Sequence, residues 1–127
     1  MPADEPTGQP VFRALLRPRP LSTAERRLLS WLTAQVDADA TAQVADATVV
    51  GECACGCSSV RLSPSGWVDG NGHSEVRASA RAADGAPVAV VLHLLGGRLH
   101  ELEVFDTAAG EGVAVDLAAL TALELGG

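Results

Sequence analysis

The stretch PVAVVLHLLGGRLHELEVFD, Pro87 to Asp106, decides how this chain folds. Val88–Leu95 is apolar on both faces, the pattern of a central strand. Gly96-Gly97 suits the positive φ angles of a tight two-residue turn, so the spacing predicts a hairpin in which Arg98–Asp106 returns antiparallel. With that loop Leu95 faces Arg98, and His93 falls opposite His100. In the same register Glu101 and Glu103 share a face with Val90, Leu92, Leu94 and Leu99, away from His100. Two acids on a largely apolar face mark a solvated sheet edge or an interaction surface.

Upstream, His73–Ala82 alternates, with Val76, Ala78, Ala80 and Ala82 on one face and Arg77, Ser79 and Arg81 on the other, which predicts a half-exposed strand. ADGAP turns the chain between the two strands. Downstream, a weaker turn at TAAGEG leads to Val113–Val115, and DLAALTALEL after Asp116 reads as a short helix or an extended tail. Before the strands, Ser22-Thr-Ala-Glu25 fits a capping box, and Leu28, Leu29, Leu32 and Val36 follow at helical spacing with Trp31 beside them. DADATAQVADA is a weaker candidate for a short second helix, ahead of a strand starting near Ala47. These elements predict an α+β fold: an N-terminal helix, with room for a second, packed on an antiparallel meander sheet of four to five strands.

Five of the seven prolines fall within the first 20 residues, so residues 1–20 read as a proline-rich arm whose VFRALL segment docks on the core, and 21–127 as a single domain. The chain has 127 residues with net charge −7. Residues 1–36 carry net +2 and residues 37–127 net −9. An acidic, lysine-free chain lacks the basic stripe that nucleic-acid backbones require. No apolar run is long enough to span a membrane, and the first residues lack the apolar core of a secretory signal. Three cysteines cannot all pair internally, so reduced thiols and a cytoplasmic location are expected.

All three cysteines lie in VVGECACGCSSVRL, at Cys53, Cys55 and Cys57. On a regular strand they would share a face but sit ~6.6 Å apart along it. Tetrahedral thiolate coordination needs sulfurs ~3.8 Å apart. Only a break in the strand could therefore make them a zinc or Cu(I) site, or a redox site. The apolar parity does change, from odd at Val49 to even at Val60 and Leu62, and Gly56 with Ser58-Ser59 is the natural place for a bend. A fourth ligand would come from elsewhere, with His93 and His100 the candidates and His73 a further one. If the strand continues, the cysteines are small buried residues.

VVGECACGCSSVRL followed by GAPVAVVLHLLGGRLHELEVFD resembles a family of small proteins from high-GC Gram-positive bacteria. Its members carry a C-x-C-G-C-P-S segment and a hairpin ending G-R-L-x-x-L-E-V. The resemblance spans residues 22–117, and Ser58 stands where the family has proline. It implies the α+β fold and a cytoplasmic setting, and brings no activity with it.

SPSGWVDGNG is a glycine-rich loop with Trp67 at its centre, either a plug at the core margin or an interface anchor. No nucleophile, base and orienting acid are spaced for catalysis. The expected function is a small non-catalytic binding or regulatory protein that meets a protein partner through Trp67, Glu101 and Glu103, with no cofactor. The alternative is a thiolate metal-binding or redox-sensing protein built on the three cysteines.

Overall fold

The computed structural model describes residues 12–54, 57–63, 72–109 and 113–126. Strand β1 (Phe12–Pro20) comes first, followed by helices α1 (Thr23–Thr33) and α2 (Ala38–Gln43). Six strands complete the order: β2 (Thr48–Cys53), β3 (Val60–Ser63), β4 (His73–Arg81), β5 (Pro87–Leu95), β6 (Arg98–Asp106) and β7 (Thr121–Leu125). Short 3₁₀ turns at Val44–Asp46 and Leu117–Ala119 precede β2 and β7.

All seven strands form one antiparallel sheet in the order β1-β2-β3-β6-β5-β4-β7. The α+β class is as expected, but the sheet has seven strands rather than four or five, and a strand precedes the helices. It is not one meander either. β1-β2-β3 and β4-β5-β6 are separate meanders, joined where β3 pairs with β6. β1 recruits Phe12–Pro20 from the proline-rich segment, and β7 is the extended outcome for the C-terminal stretch.

The Ser22 hydroxyl accepts from the Glu25 backbone N–H at 3.0 Å, and the Glu25 carboxylate accepts from the Ser22 N–H at 2.8 Å, so the capping box is complete. Leu28, Leu29 and Leu32 of α1 are buried. The helix ends at Thr33, however, so Val36 falls beyond it and is exposed. With Ala40 and Val44, these leucines form one core with Val88, Val90, Leu92 and Leu94 of β5 and Leu99, Leu102 and Val104 of β6. Trp31 packs at its margin. The core thus lies between the helices and one face of the sheet, and among the described residues no helix covers the other face.

The hairpin turns at Gly96 and Gly97, whose φ angles of 57° and 82° are those of a two-residue primed turn. Gln43, at the end of α2, donates to the Gly97 carbonyl at 2.9 Å and accepts from the Leu99 N–H at 3.0 Å. That amide fixes the hairpin end against the helical layer.

Candidate functional site

The hairpin register departs from a regular ladder at one residue. Leu95 pairs with Arg98 and Leu94 with Leu99, but His93 pairs with Glu101 rather than His100. His100 is the extra residue of a β-bulge, which shifts every later residue of β6 by one. Leu102 and Val104 therefore enter the core opposite Leu92 and Val90, and Glu101 and Glu103 cross to the helix-free face with His93. This corrects the expected pairing of the two histidines and the expected face of both acids. Removing His100 should restore plain alternation, with Leu99 inward, Glu101 outward and Leu102 inward. Deletion of His100 is therefore expected to cost no more than about 1 kcal/mol in chemical denaturation. A loss large enough to unfold the chain would contradict the bulge.

Pairing with β4 completes a polar cluster around His93. Glu75 pairs with His93, and His73 lies two residues earlier on the same strand. His73 Nε2 and His93 Nδ1 lie 2.8 Å apart, one donating to the other, and the rings stack with centroids 5.0 Å apart. His93 Nε2 is 2.9 Å from Glu103 Oε1, and His93 Nδ1 is 3.5 Å from Glu75 Oε2. The Arg77 guanidinium holds the other Glu75 oxygen, Oε1, at 2.7 Å. Arg61 of β3 pairs with Glu101 and sits over the Phe12 ring, 4.6 Å from its centroid.

The electrostatics follow from this arrangement. The hydrogen bond to Glu103 raises the His93 pKa; burial opposes it, and the charges of Glu101 and Glu75 add to the rise. Burial pushes Glu101 above the usual carboxylate range, helped by Glu103 and opposed by His93 and Arg61. Arg77 holds Glu75 below that range. His100 lies lower than an ordinary imidazole because it is partly buried and near Arg61.

The cysteines lie elsewhere. Cys53 ends β2 and is buried, and Cys57 lies in the connection to β3, half-buried. β2 ends at Cys53 and β3 begins only at Val60, so Cys53 and Cys57 do not share one continuous strand. Cys55 lies outside the described residues, as does Trp67. Among the described residues, the groups of potential metal ligands around His93 contain no cysteine, so Cys53 and Cys57 do not join His93 there. Of the acids expected to meet a partner, Glu101 is only 9% exposed and Glu103 is half-buried.

After Cys57, two serines tie the turn to distant backbone. The Ser58 hydroxyl accepts from the Val115 N–H and donates to the Val115 carbonyl, both at 2.8 Å. Ser59 does the same to Val104 of β6, at 2.9 and 3.3 Å. Ser58 thus anchors the 113–116 segment. That segment is an irregular run rather than a strand.

A cavity of about 600 Å³ opens where the β2–β3 turn, β1, the start of α1 and residues 115–118 meet. Its wall includes Arg13, Arg19, Glu25, Glu52, Cys53 and Cys57. Arg19 grips Glu25 through two bonds of 2.9 Å and reaches Glu52 at 3.1 Å. Arg13 is only loosely paired, 3.8 Å from Glu52, with its side chain 69% exposed.

No protein-family model, curated protein or solved structure matches the chain. Among the described residues, no helix is long and apolar enough to cross a membrane.

Proposed function

We propose that the chain is a small non-catalytic binding or regulatory protein that receives a small polar ligand, or a polar segment of a protein partner, in the cleft beside Cys53 and Cys57. The cavity of about 600 Å³ carries this reading, because it combines concave volume with a few convergent polar groups. Arg13 is the group most available to a ligand, since Arg19 is engaged by two carboxylates. Libraries of polar fragments and short peptides, screened by protein-observed NMR, test it. Binders should shift Ser58, Ser59 and Val115, and alkylation of Cys57 should abolish those shifts. Binders that map elsewhere and survive alkylation would remove the cleft from consideration.

The thiolate metal or redox reading remains a second proposal, favoured by Cys53 and Cys57 lining the same cavity. Elemental analysis of anaerobically purified protein checks it. About one equivalent of zinc or copper, lost in Cys55→Ser, supports it. Metal content indifferent to that substitution removes it.

A further inference from the structure

We propose that His73, Glu75 and His93 form a three-ligand site for a divalent first-row cation, zinc foremost, on the helix-free face of the sheet. The site shares no residue with the cleft and stands or falls independently of the ligand proposed there.

Three different donor atoms converge from two paired strands: His73 Nε2, His93 Nδ1 and Glu75 Oε2. The nitrogens are 2.8 Å apart and the carboxylate oxygen is 3.5 Å from His93 Nδ1. One donor atom from each of the three residues lies within 4.8 Å of the other two. Two nitrogens on a tetrahedral zinc, each at ~2.0–2.1 Å from it, are ~3.3 Å apart. The pair therefore has to open by roughly half an ångström. His73 is exposed and opens its strand, so its side chain can move that far.

The groups behind these donors make the case stronger than proximity alone. A metal-binding imidazole usually gives its other N–H to a carboxylate, which fixes the tautomer and aims the ring. Here His93 Nε2 meets Glu103 at 2.9 Å, leaving Nδ1 directed at His73 and Glu75. A ligating carboxylate is usually held by its second oxygen, and Arg77 holds Glu75 Oε1 at 2.7 Å while Oε2 faces the histidines. Two of the three ligands are thus oriented before any ion arrives. Glu75, Glu101 and Glu103 outnumber Arg61 and Arg77 around the site, so a cation enters a locally negative region. Two imidazoles and one carboxylate select a zinc-like ion over magnesium or calcium, and three protein ligands leave one position for water.

His93, Glu101 and Glu103 form a competing group on the same histidine. Using it would take Glu103 from its supporting position and leave His73 and Glu75 out, so the two arrangements separate by mutation.

The test uses the full chain with Cys53, Cys55 and Cys57 replaced by serine, stripped with chelator and titrated with Zn(II) at neutral pH by calorimetry. Co(II) absorption reports the coordination number. One equivalent is expected, weakened at least about tenfold by His73→Ala or by Glu75→Gln, and about 10- to 100-fold by Glu103→Gln. Glu101→Gln should leave affinity nearly unchanged. His73 and Glu75 sit at the surface, so melting curves of those variants should match the parent. Absence of Zn(II) uptake, or uptake indifferent to His73→Ala, would overturn the proposal. Loss in Glu101→Gln with His73→Ala silent would assign the metal to the competing group instead.

Discussion

Leu92→Ala is expected to lower the stability of the folded chain by about 3–4 kcal/mol. Leu92 is fully buried at the centre of β5, between Val76 of β4 and Leu102 of β6 in the strand pairing. Its side chain belongs to the core that Leu28, Leu29 and Leu32 complete from α1. Truncation removes apolar contact from both layers and leaves a cavity that the hydrogen-bonded sheet cannot collapse to fill. Domains of this size have only about 5–15 kcal/mol in total, so the variant should unfold at much lower denaturant. Urea titration followed by tryptophan fluorescence reads the change, since Trp31 packs at the margin of the same core. A loss under about 1 kcal/mol would mean that Leu92 does not face the helices.

Arg19→Ala should cost about 2–3 kcal/mol at neutral pH, and the loss should shrink in acid. Arg19 joins three elements, holding Glu25 at the start of α1 and Glu52 on β2 from its own place in β1. The Glu25 side chain is only 7% exposed, whereas Arg19 is 34% exposed. Most of the penalty is therefore the buried carboxylate left without its cation, and the partial exposure of Arg19 keeps the figure below that of a fully buried pair. Burial alone pushes the Glu25 carboxyl up, but the bonds from Arg19 and the Ser22 backbone outweigh it and hold the pKa below the ordinary value. A depressed carboxyl contributes stability above its unfolded pKa and loses it as pH falls through the folded value. In Arg19→Ala that contribution is gone, and protonation of Glu25 relieves the variant instead. Denaturation at neutral pH and at several points below the ordinary carboxylate pKa should show the two proteins converging. A gap independent of pH would mean that Arg19 acts through packing rather than through Glu25.

Elements whose signals are local could be read directly from the residues. Ser22 and Glu25 announce the start of α1, and Gly96-Gly97 sets both the hairpin and the limits of β5 and β6. The His100 bulge was not legible, because its position depends on which residues reach the core from a neighbouring strand. That single residue decides the face of Glu101 and Glu103. β1 was obscured by Pro18 and Pro20, which an edge strand tolerates where its N–H groups are not needed. β7 lies in a stretch rich in leucine and alanine, whose helical leaning is overridden by pairing with β4.

The cluster around His93 shows the same divide. In the sequence His93 and His73 stand out as candidate ligands, and Glu75 does not. A histidine and a glutamate two apart on an alternating strand share a face, and that was the available signal. What could not be foreseen was the β4–β5 register, which brings that face against a histidine 18 residues beyond Glu75.

The two ends of the sheet bear on how copies of this chain meet one another. An outermost strand with a regular row of open N–H and C=O groups is a template for another chain. β1 has an irregular register between Ala14 and Arg19, and Pro18 and Pro20 offer no N–H. β7 is only five residues long, and Ala122 near its start takes a left-handed φ of 56°. Each described end thus interrupts the row that strand-to-strand polymerisation would need. A sheet of such apolar strands thus carries, in its own described edge residues, a guard against open-ended growth.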